Sequence, residues 1–432
     1  MALHMSRTAP ISAPGRTARG GRAGIAARAA GSSRKAALVP VAHGTEEMEA
    51  VIVADVLRRA GVDVCLASVE SDKVVQCCRG VSLVADATID SLPSRDFDLI
   101  AVPGGMPGSE RLRDSGTLSG MLKERETDAD RLTAAICAAP QVVLQEQGLF
   151  EGRSMTCHPG FISKLENSTE ARVEIDLNLV TSRGPGTAFE FSLALVDTLL
   201  GEAKATEVGG PMVLPSETET QALRLGAFAG PVAKGKARVL VPVANGTEEM
   251  EAVIMVDVLR RAGLEVVMAS VESEKVVTCS REVKLVADET LNACASTSFD
   301  AILLPGGMPG ATRLGESSLL KRMLADQRES GRLYGAICAS PAVVLQANGL
   351  LSGNKVATSH PGFIEQLENP SEARVVLDGN CVTSRGPGTA FEFALVCAGA
   401  LCGGEAKIEE VAGPMVMPSA FSAQGVAEKM FA

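Results

Sequence analysis

The sequence predicts an α/β protein built from two tandem domains, each a mostly parallel sheet with helices on both faces. Three observations carry this. Long stretches occur twice: "VAHGTEEMEAVIVADVLRRAG" at 41–61 returns as "VANGTEEMEAVIMVDVLRRAG" at 243–263, "VPGGMPG" at 102–108 as "LPGGMPG" at 304–310, and "VTSRGPGTAFEF" at 180–191 again at 382–393. The offset of 201 or 202 residues is that of a duplicated domain, not a solenoid. Within each copy, short apolar runs bounded by turn residues alternate with helical periodicity. Finally, 432 residues with 46% hydrophobic and 22% charged side chains are ample for two globular cores.

Taken in order, residues 1–34 hold six arginines and no acid among Ala, Gly, Ser and Thr. That is the composition of an organellar transit peptide, for a chloroplast or alternatively a mitochondrion. The bland alternative is a basic tail that targets nothing, which would leave the protein in cytoplasm or nucleus. Domain one is expected at 35–216, a linker at 217–235 with a short helix at "ETQALRL", domain two at 236–419, and a tail at 420–432. In the first domain "AALVPVA" reads as a buried strand. "EEMEAVIVADVLRRAG" reads as an amphipathic helix stopped by Gly61. "DVCLASVE", "DLIAVPGG" and "LTAAIC" are further strands, "APQVVLQEQG" a helix, and "VEIDLNLVTS" then "GTAFEFSLALVDTLL" close the pattern. In sheets of this kind function gathers at the carboxyl ends of the strands.

Composition narrows the function. A formal charge of −11, no tryptophan and one tyrosine are a poor match for nucleic acid. Eleven cysteines without a CxxC pair, and four histidines, form neither a disulfide framework nor a zinc ligand set, so free thiols in a reducing compartment and no metal are expected. No apolar run is long enough to span a membrane.

The strand ends carry the chemistry. Cys137 follows "LTAAI" and precedes a helix, the position of a nucleophile elbow, and small Ala138 and Ala139 suit a crowded turn. A helix N-terminus there would favour a thiolate. Cys338 in "AICASP" repeats the arrangement. Glu49 and Glu251 sit at the start of the first helix of each copy; with Glu46 and Glu47 they suit a helix N-terminus, or they point inward and hold a proton near the thiol. His158 in "TCHPG" and His360 in "TSHPG" fall at the next strand end, either as the base of a Cys–His pair or as structural histidines held by the proline turn. "PGGMPG" is either a tight turn or a source of oxyanion N–H donors from Gly104–Gly105 and Gly306–Gly307. Arg183 and Arg385 are expected to pin loops or touch a partner, with binding of a carboxylate the alternative. Cys77, Cys78 and Cys279 are expected on a surface hairpin, as secondary oxidation sites or interface residues.

Together "GTEEMEAV", "DVLRRAG", "PGGMPG", "AICA.P", "TCHPG/TSHPG" and "TSRGPGT.FEF" resemble the DJ-1/PfpI superfamily, in its branch of Parkinsonism-associated deglycases. Tandem duplication behind an N-terminal extension is similar to the plant and algal members. The resemblance covers both repeats. It implies a flavodoxin-like, class I glutamine amidotransferase-like fold, with Cys137 and Cys338 as reactive cysteines. Glu49 and Glu251 would be their protonated hydrogen-bond partners, and His158 and His360 the nearby histidines. Gly105, Ala138, Gly307 and Ala339 would supply oxyanion N–H groups. The implied activity is a cofactor-independent, glutathione-independent glyoxalase acting on small aldehydes such as methylglyoxal, with possible repair of early glycation adducts. The two domains would pair inside one chain in place of the family dimer. A redox sensor or chaperone whose cysteine oxidises to sulfinic acid is the alternative. Val84 and Val286 stand where animal members often carry a cysteine at the dimer contact. Alanine after each nucleophile, not histidine, speaks against the related peptidases.

Overall fold

A computed structural model describes residues 34–92, 96–215, 223–226, 228, 230–231, 235–402 and 405–417. The expected transit peptide, Arg34 apart, and the C-terminal tail lie outside these residues. The first half contains β1 (Ala36–Val41), β2 (Asp63–Ser68), β3 (Val74–Gln76), β4 (Ser82–Val84), β5 (Ala87–Thr88), β6 (Leu99–Val102), β7 (Leu132–Ile136), β8 (Val173–Asp176) and β9 (Leu179–Ser182). Its helices are α1 (Glu47–Arg59), α2 (Gly108–Asp114), α3 (Gly116–Glu126), α4 (Ala188–Leu200) and α5 (Glu202–Gly209). After β10 (Arg224–Leu225) the series repeats as β11 (Arg238–Val243), β12 (Glu265–Ser270), β13 (Val276–Thr278), β14 (Lys284–Val286), β15 (Glu289–Thr290), β16 (Ala301–Leu304), β17 (Leu333–Ile337), β18 (Val375–Asp378) and β19 (Cys381–Ser384). The second set of helices is α6 (Glu249–Arg261), α7 (Gly310–Glu316), α8 (Ser318–Glu329), α9 (Ala390–Cys402) and α10 (Glu405–Ala412).

Each half is the expected α/β sandwich. The first sheet runs β5-β2-β1-β6-β7-β9-β8, parallel throughout except β8 against β9. The second has the same order, with β10 added outside β18. The linker helix expected at "ETQALRL" is therefore not what Arg224 and Leu225 form: they pair in parallel with Val376 and Leu377. Strand β18 would otherwise be an edge with open N–H and C=O groups, and the linker satisfies some of them. Residues 216–222 lie outside the described set.

The strands are apolar on both faces because both are covered. In β1, Val39 and Val41 point to the side of α1 and α4, while Leu38 points to the side of α3. Helix α1 is capped by Glu46, whose side chain accepts from Met48 N, and carries Arg58 and Arg59 in its last turn, where cations complement the dipole. Gly61 follows at φ 84°, which terminates the helix as expected.

The two halves share one core. Apolar residues of α1, α4, α6 and α9 join the facing sides of both sheets in a single buried cluster. Hairpins β3–β4 and β13–β14 meet in one antiparallel four-stranded sheet, with Ser82, Leu83 and Val84 opposite Val286, Leu285 and Lys284. Val84 and Val286 thus lie in the strands that join the halves. No helix among the described residues is long and apolar enough to cross a membrane.

Candidate functional site

Parallel strands with connections leaving β1 in opposite directions open a crevice at their carboxyl ends. The loops after β1, β6 and β7 meet there. Cys137 ends β7 at φ 64° and Cys338 ends β17 at φ 64°, left-handed backbone that costs a non-glycine residue about 1–3 kcal/mol. Strand β9 and the loop carrying His158 hold it: Cys137 N donates to Ser182 O (3.0 Å), and Cys137 O accepts from His158 N (2.9 Å). The equivalent bonds in the second half are 3.1 and 2.9 Å. Both cysteines are half-buried as residues.

Glu49 reaches this elbow from the first turn of α1. It is fully buried, and its Oε2 accepts from Gly104 N at 2.8 Å; Glu251 accepts from Gly306 N at 2.7 Å. The other oxygen, Oε1, is buried without a hydrogen-bond partner in each half. Burial, reinforced by the Glu46 charge, raises Glu49 well above the usual carboxyl range. Burial raises Glu251 to about 7, with the Gly306 N–H and the Cys338 thiol pulling it down. Burial also pushes both thiols up, helped by the adjacent glutamate charge and opposed by the Gly105 or Gly307 N–H. Carboxyl and thiol behave as one unit: a proton on the glutamate removes the charge that opposes the thiolate. Of the two readings of "GTEEMEA", the inward one describes Glu49 and Glu251.

Glycines make the approach possible. A Cβ on Gly104 would lie 2.5 Å from Cys137 Cβ and 2.9 Å from Glu49 Oε2. Gly105 stands at φ 90°, where a Cβ would fall 2.3 Å from Glu46 N. Ala138 and Ala339 are buried directly after the cysteines, and their carbonyls accept from Val142 and Val343 N at 2.9 Å. The segment following Cys137 is a short π-helical turn, Pro140–Leu144, then a 3₁₀ turn, Gln145–Gln147, not one long helix. Stabilisation of a thiolate by a helix end is weaker than expected, because so short a segment sums few peptide dipoles.

The histidines do not stand at a strand end: each lies in a loop three residues after an isolated bridge residue, Met155 or Ala357, and has both ring nitrogens engaged. His158 Nδ1 accepts from Gly160 N (3.1 Å), which places the proton on Nε2, and Nε2 donates to Pro414 O of the other half (2.9 Å). His360 does the same with Gly362 N (3.1 Å) and Pro211 O (3.0 Å). In this arrangement neither nitrogen is available as a base for the thiol. Each histidine instead ties its site to the C-terminal turn of the opposite half. Arg172 and Arg374, not singled out in the sequence, secure the same turns: Arg172 holds Glu190 (2.8 Å) and Val416 O (3.1 Å), and Arg374 holds Glu392 (2.8 Å) and Val213 O (3.1 Å). The repeated "GPM" at 210–212 and 413–415 was the available signal. Arg183 and Arg385 pin loops, donating to Glu170 O (3.3 Å) and Glu372 O (3.1 Å).

Glu46 and Glu47 are more than helix-end charges. Glu46 pairs with Arg261 (2.6 Å) and Glu248 with Arg59 (2.9 Å) across the two halves. Glu47 accepts from Arg79 N (3.0 Å) and Val81 N (3.2 Å) and so fastens the hairpin. Cys77 and Cys279 are buried in these hairpins, so of the three hairpin cysteines only Cys78 is partly exposed.

A cysteine on a strained elbow, faced by a buried carboxyl, thus recurs in the two fused halves of one α/β chain. The chain belongs to the DJ-1/PfpI family, whose model matches residues 35–198 and 237–399. It is similar to Protein DJ-1 homolog B of Arabidopsis thaliana, 48% identical over 370 residues that cover 84% of each chain. It is also similar to the glutathione-independent glyoxalase DJR-1.2 of Caenorhabditis elegans, 37% identical over 188 residues, 42% of this chain and 98% of that one. A solved structure of oxidized Toxoplasma gondii DJ-1 is 44% identical with a TM-score of 0.40, covering 41% of this chain and 96% of that one.

Proposed function

We propose that each half is a glutathione-independent glyoxalase that converts small α-oxoaldehydes such as methylglyoxal to the hydroxy acid, and that the protein acts in a plastid. The observation that carries the activity is the Glu49–Cys137 pair, with Glu251–Cys338: a carboxyl oxygen buried without a partner beside an elbow thiol. The thiolate sulfur adds to the aldehyde carbon, and the former carbonyl oxygen takes a proton to give a hemithioacetal. In this reading Gly105 N–H, which acts on the Cys137 thiol, also steadies the developing oxyanion. Glutamate then removes the C1 hydrogen as a proton, giving an enediol, and the proton returns to C2. The resulting thioester is hydrolysed by water, releasing lactate and the thiol. Glutamate serves as the proton carrier because the histidine nitrogens are engaged elsewhere. Aldehyde addition of the same kind would underlie repair of glycation adducts. The single-domain nematode relative bearing the glyoxalase name supports the activity class.

The test is lactate formation from methylglyoxal without glutathione. Cys137→Ala and Cys338→Ala are each expected to keep roughly half the turnover, and the double variant none. Turnover surviving in the double variant would refute the mechanism. An inactive wild type whose same cysteines become sulfinic acid under peroxide would favour the redox-sensor reading.

A further inference from the structure

The outer strands of the two sheets differ. Strand β18 is covered by β10, and its Val375, Val376 and Leu377 are buried. Its twin β8 pairs with β9 alone among the described residues. There Ile175, the counterpart of Leu377, is 47% exposed. The neighbouring ion pair shows the same contrast. Side-chain exposures are 5% and 3% for Arg374–Glu392, against 31% and 35% for Arg172–Glu190. An open edge that carries apolar side chains is a template for another strand.

The segment that covers β18 is the chain leaving the first half. It passes Arg374, which donates to Val213 O at 3.1 Å, and then forms β10 from Arg224. Leu223, Leu225 and Phe228 pack against the shared core there. The chain leaving the second half passes the matching point, where Arg172 donates to Val416 O at 3.1 Å and to Met417 O at 3.4 Å. The sequence that follows repeats the linker. Pro215, Ser216, Gln221, Leu223 and Phe228 return as Pro418, Ser419, Gln424, Val426 and Phe431. Ala427 is as far along the chain from Val416 as Arg224 is from Val213. Glu428 in place of Leu225 is the one large apolar position lost.

We infer that residues 426–431 add a strand to the open edge of β8, parallel to it and in the register of β10. Arg224 lies opposite Val376 and Leu225 opposite Leu377, so Ala427 falls opposite Glu174 and Glu428 opposite Ile175. Val426 and Phe431 take the apolar places of Leu223 and Phe228, and Lys429 falls beside a strand that carries Glu174 and Asp176. The edge is thereby closed within one chain, and the turn held by His158 and Arg172 is fixed on both sides.

The full chain carrying Cys137→Ala and Cys338→Ala, so that oxidation does not fall on the elbow thiols, tests the register. Paired strands stand about 4.8 Å apart, within the Cα separation of about 4.4–6.8 Å that a disulfide spans. Glu174→Cys with Ala427→Cys should form an intrachain disulfide under oxidised glutathione, found by peptide mass spectrometry. Glu174→Cys with Glu428→Cys should not, because a one-residue shift turns the side chain to the opposite face. With no cysteine introduced, Val426→Asp and Phe431→Ser should each make the β8 amides exchange hydrogen about tenfold faster while the circular dichroism stays unchanged. A disulfide formed only between two chains would overturn the assignment in favour of a second copy. Equal bonding in the two cysteine pairs, no bond in either, or unchanged exchange in both single variants would refute it.

Discussion

Gly104→Ala tests the geometry on which the chemistry depends. Gly104 does not occupy left-handed backbone, so an alanine is not refused by φ. The added Cβ would however lie 2.5 Å from Cys137 Cβ, against an ordinary contact of about 3.4–4 Å. Thiol and loop must separate by roughly 1 Å, and the same methyl presses on Glu49 Oε2 at 2.9 Å. Misplacement of reacting groups by about 1 Å lowers turnover by about 100-fold, near 2.7 kcal/mol in the barrier. The assay is lactate formation in a Cys338→Ala background, so that only the first site reports. Gly116→Ala is the control, since nothing lies within 4 Å of a Cβ there. A kcat for Gly104→Ala within threefold of its parent would refute the claim that close approach of Gly104, Glu49 and Cys137 sets the rate.

Other predictions follow from single residues. Glu251 rises to about 7 in the folded protein from 4.5, so the native state binds more protons between those values and this group's contribution to stability is lost as pH rises through about 7. Glu251→Gln should therefore gain stability relative to wild type between pH 5 and 8, on the order of 3 kcal/mol; urea midpoints that shift in parallel would count against a raised carboxyl. Arg125 is 2% exposed and donates to Phe97 O and Leu132 O (both 2.8 Å), but forms no ion pair among the described residues, and burial followed by the Arg131 charge lowers it to about 10. At the matching position Gln327 reaches Phe299 O and Leu333 O (both 3.0 Å) with a neutral amide. Arg125→Gln should stabilise the chain by about 1–3 kcal/mol in urea unfolding, since relief of the buried charge exceeds the loss of charge-assisted bonds; a destabilisation would show that the guanidinium is well solvated where it lies.

What the sequence made legible was what repeats. Apolar runs marked β1, β2, β6 and β7, and the paired motifs placed Cys137 and Cys338 at strand ends, because a buried parallel strand and the turn that follows it are local features. Whether Glu49 faced solvent or the thiol was open, since helix periodicity fixes a face but not what lies against it. The histidine roles were open for a different reason. The partners of His158 and His360 are carbonyls of Pro414 and Pro211, separated by 256 and 149 residues along the chain. Cys78 reads as a surface thiol because its carboxylate neighbours, Glu46 and Glu47, come from the start of α1, 32 and 31 residues earlier in the chain. Contacts assembled across a domain junction leave no spacing pattern to read.

The same junction couples the two copies to each other. His158 and Arg172 hold Pro414 and Val416, while His360 and Arg374 hold Pro211 and Val213, so the brace of each site is the end of the other half. The first brace, Pro211–Val213, leads directly toward the linker, and the second, Pro414–Val416, lies near the end of the described chain. Their surroundings differ although their contacts match. Loss of the brace frees an imidazole whose Nε2 proton no longer has an acceptor, and opens the loop that carries it. Such a fault in one half therefore falls on the opposite site. Fusion fixes the two halves at one effective concentration, which keeps both braces in place at dilutions where separate subunits would part.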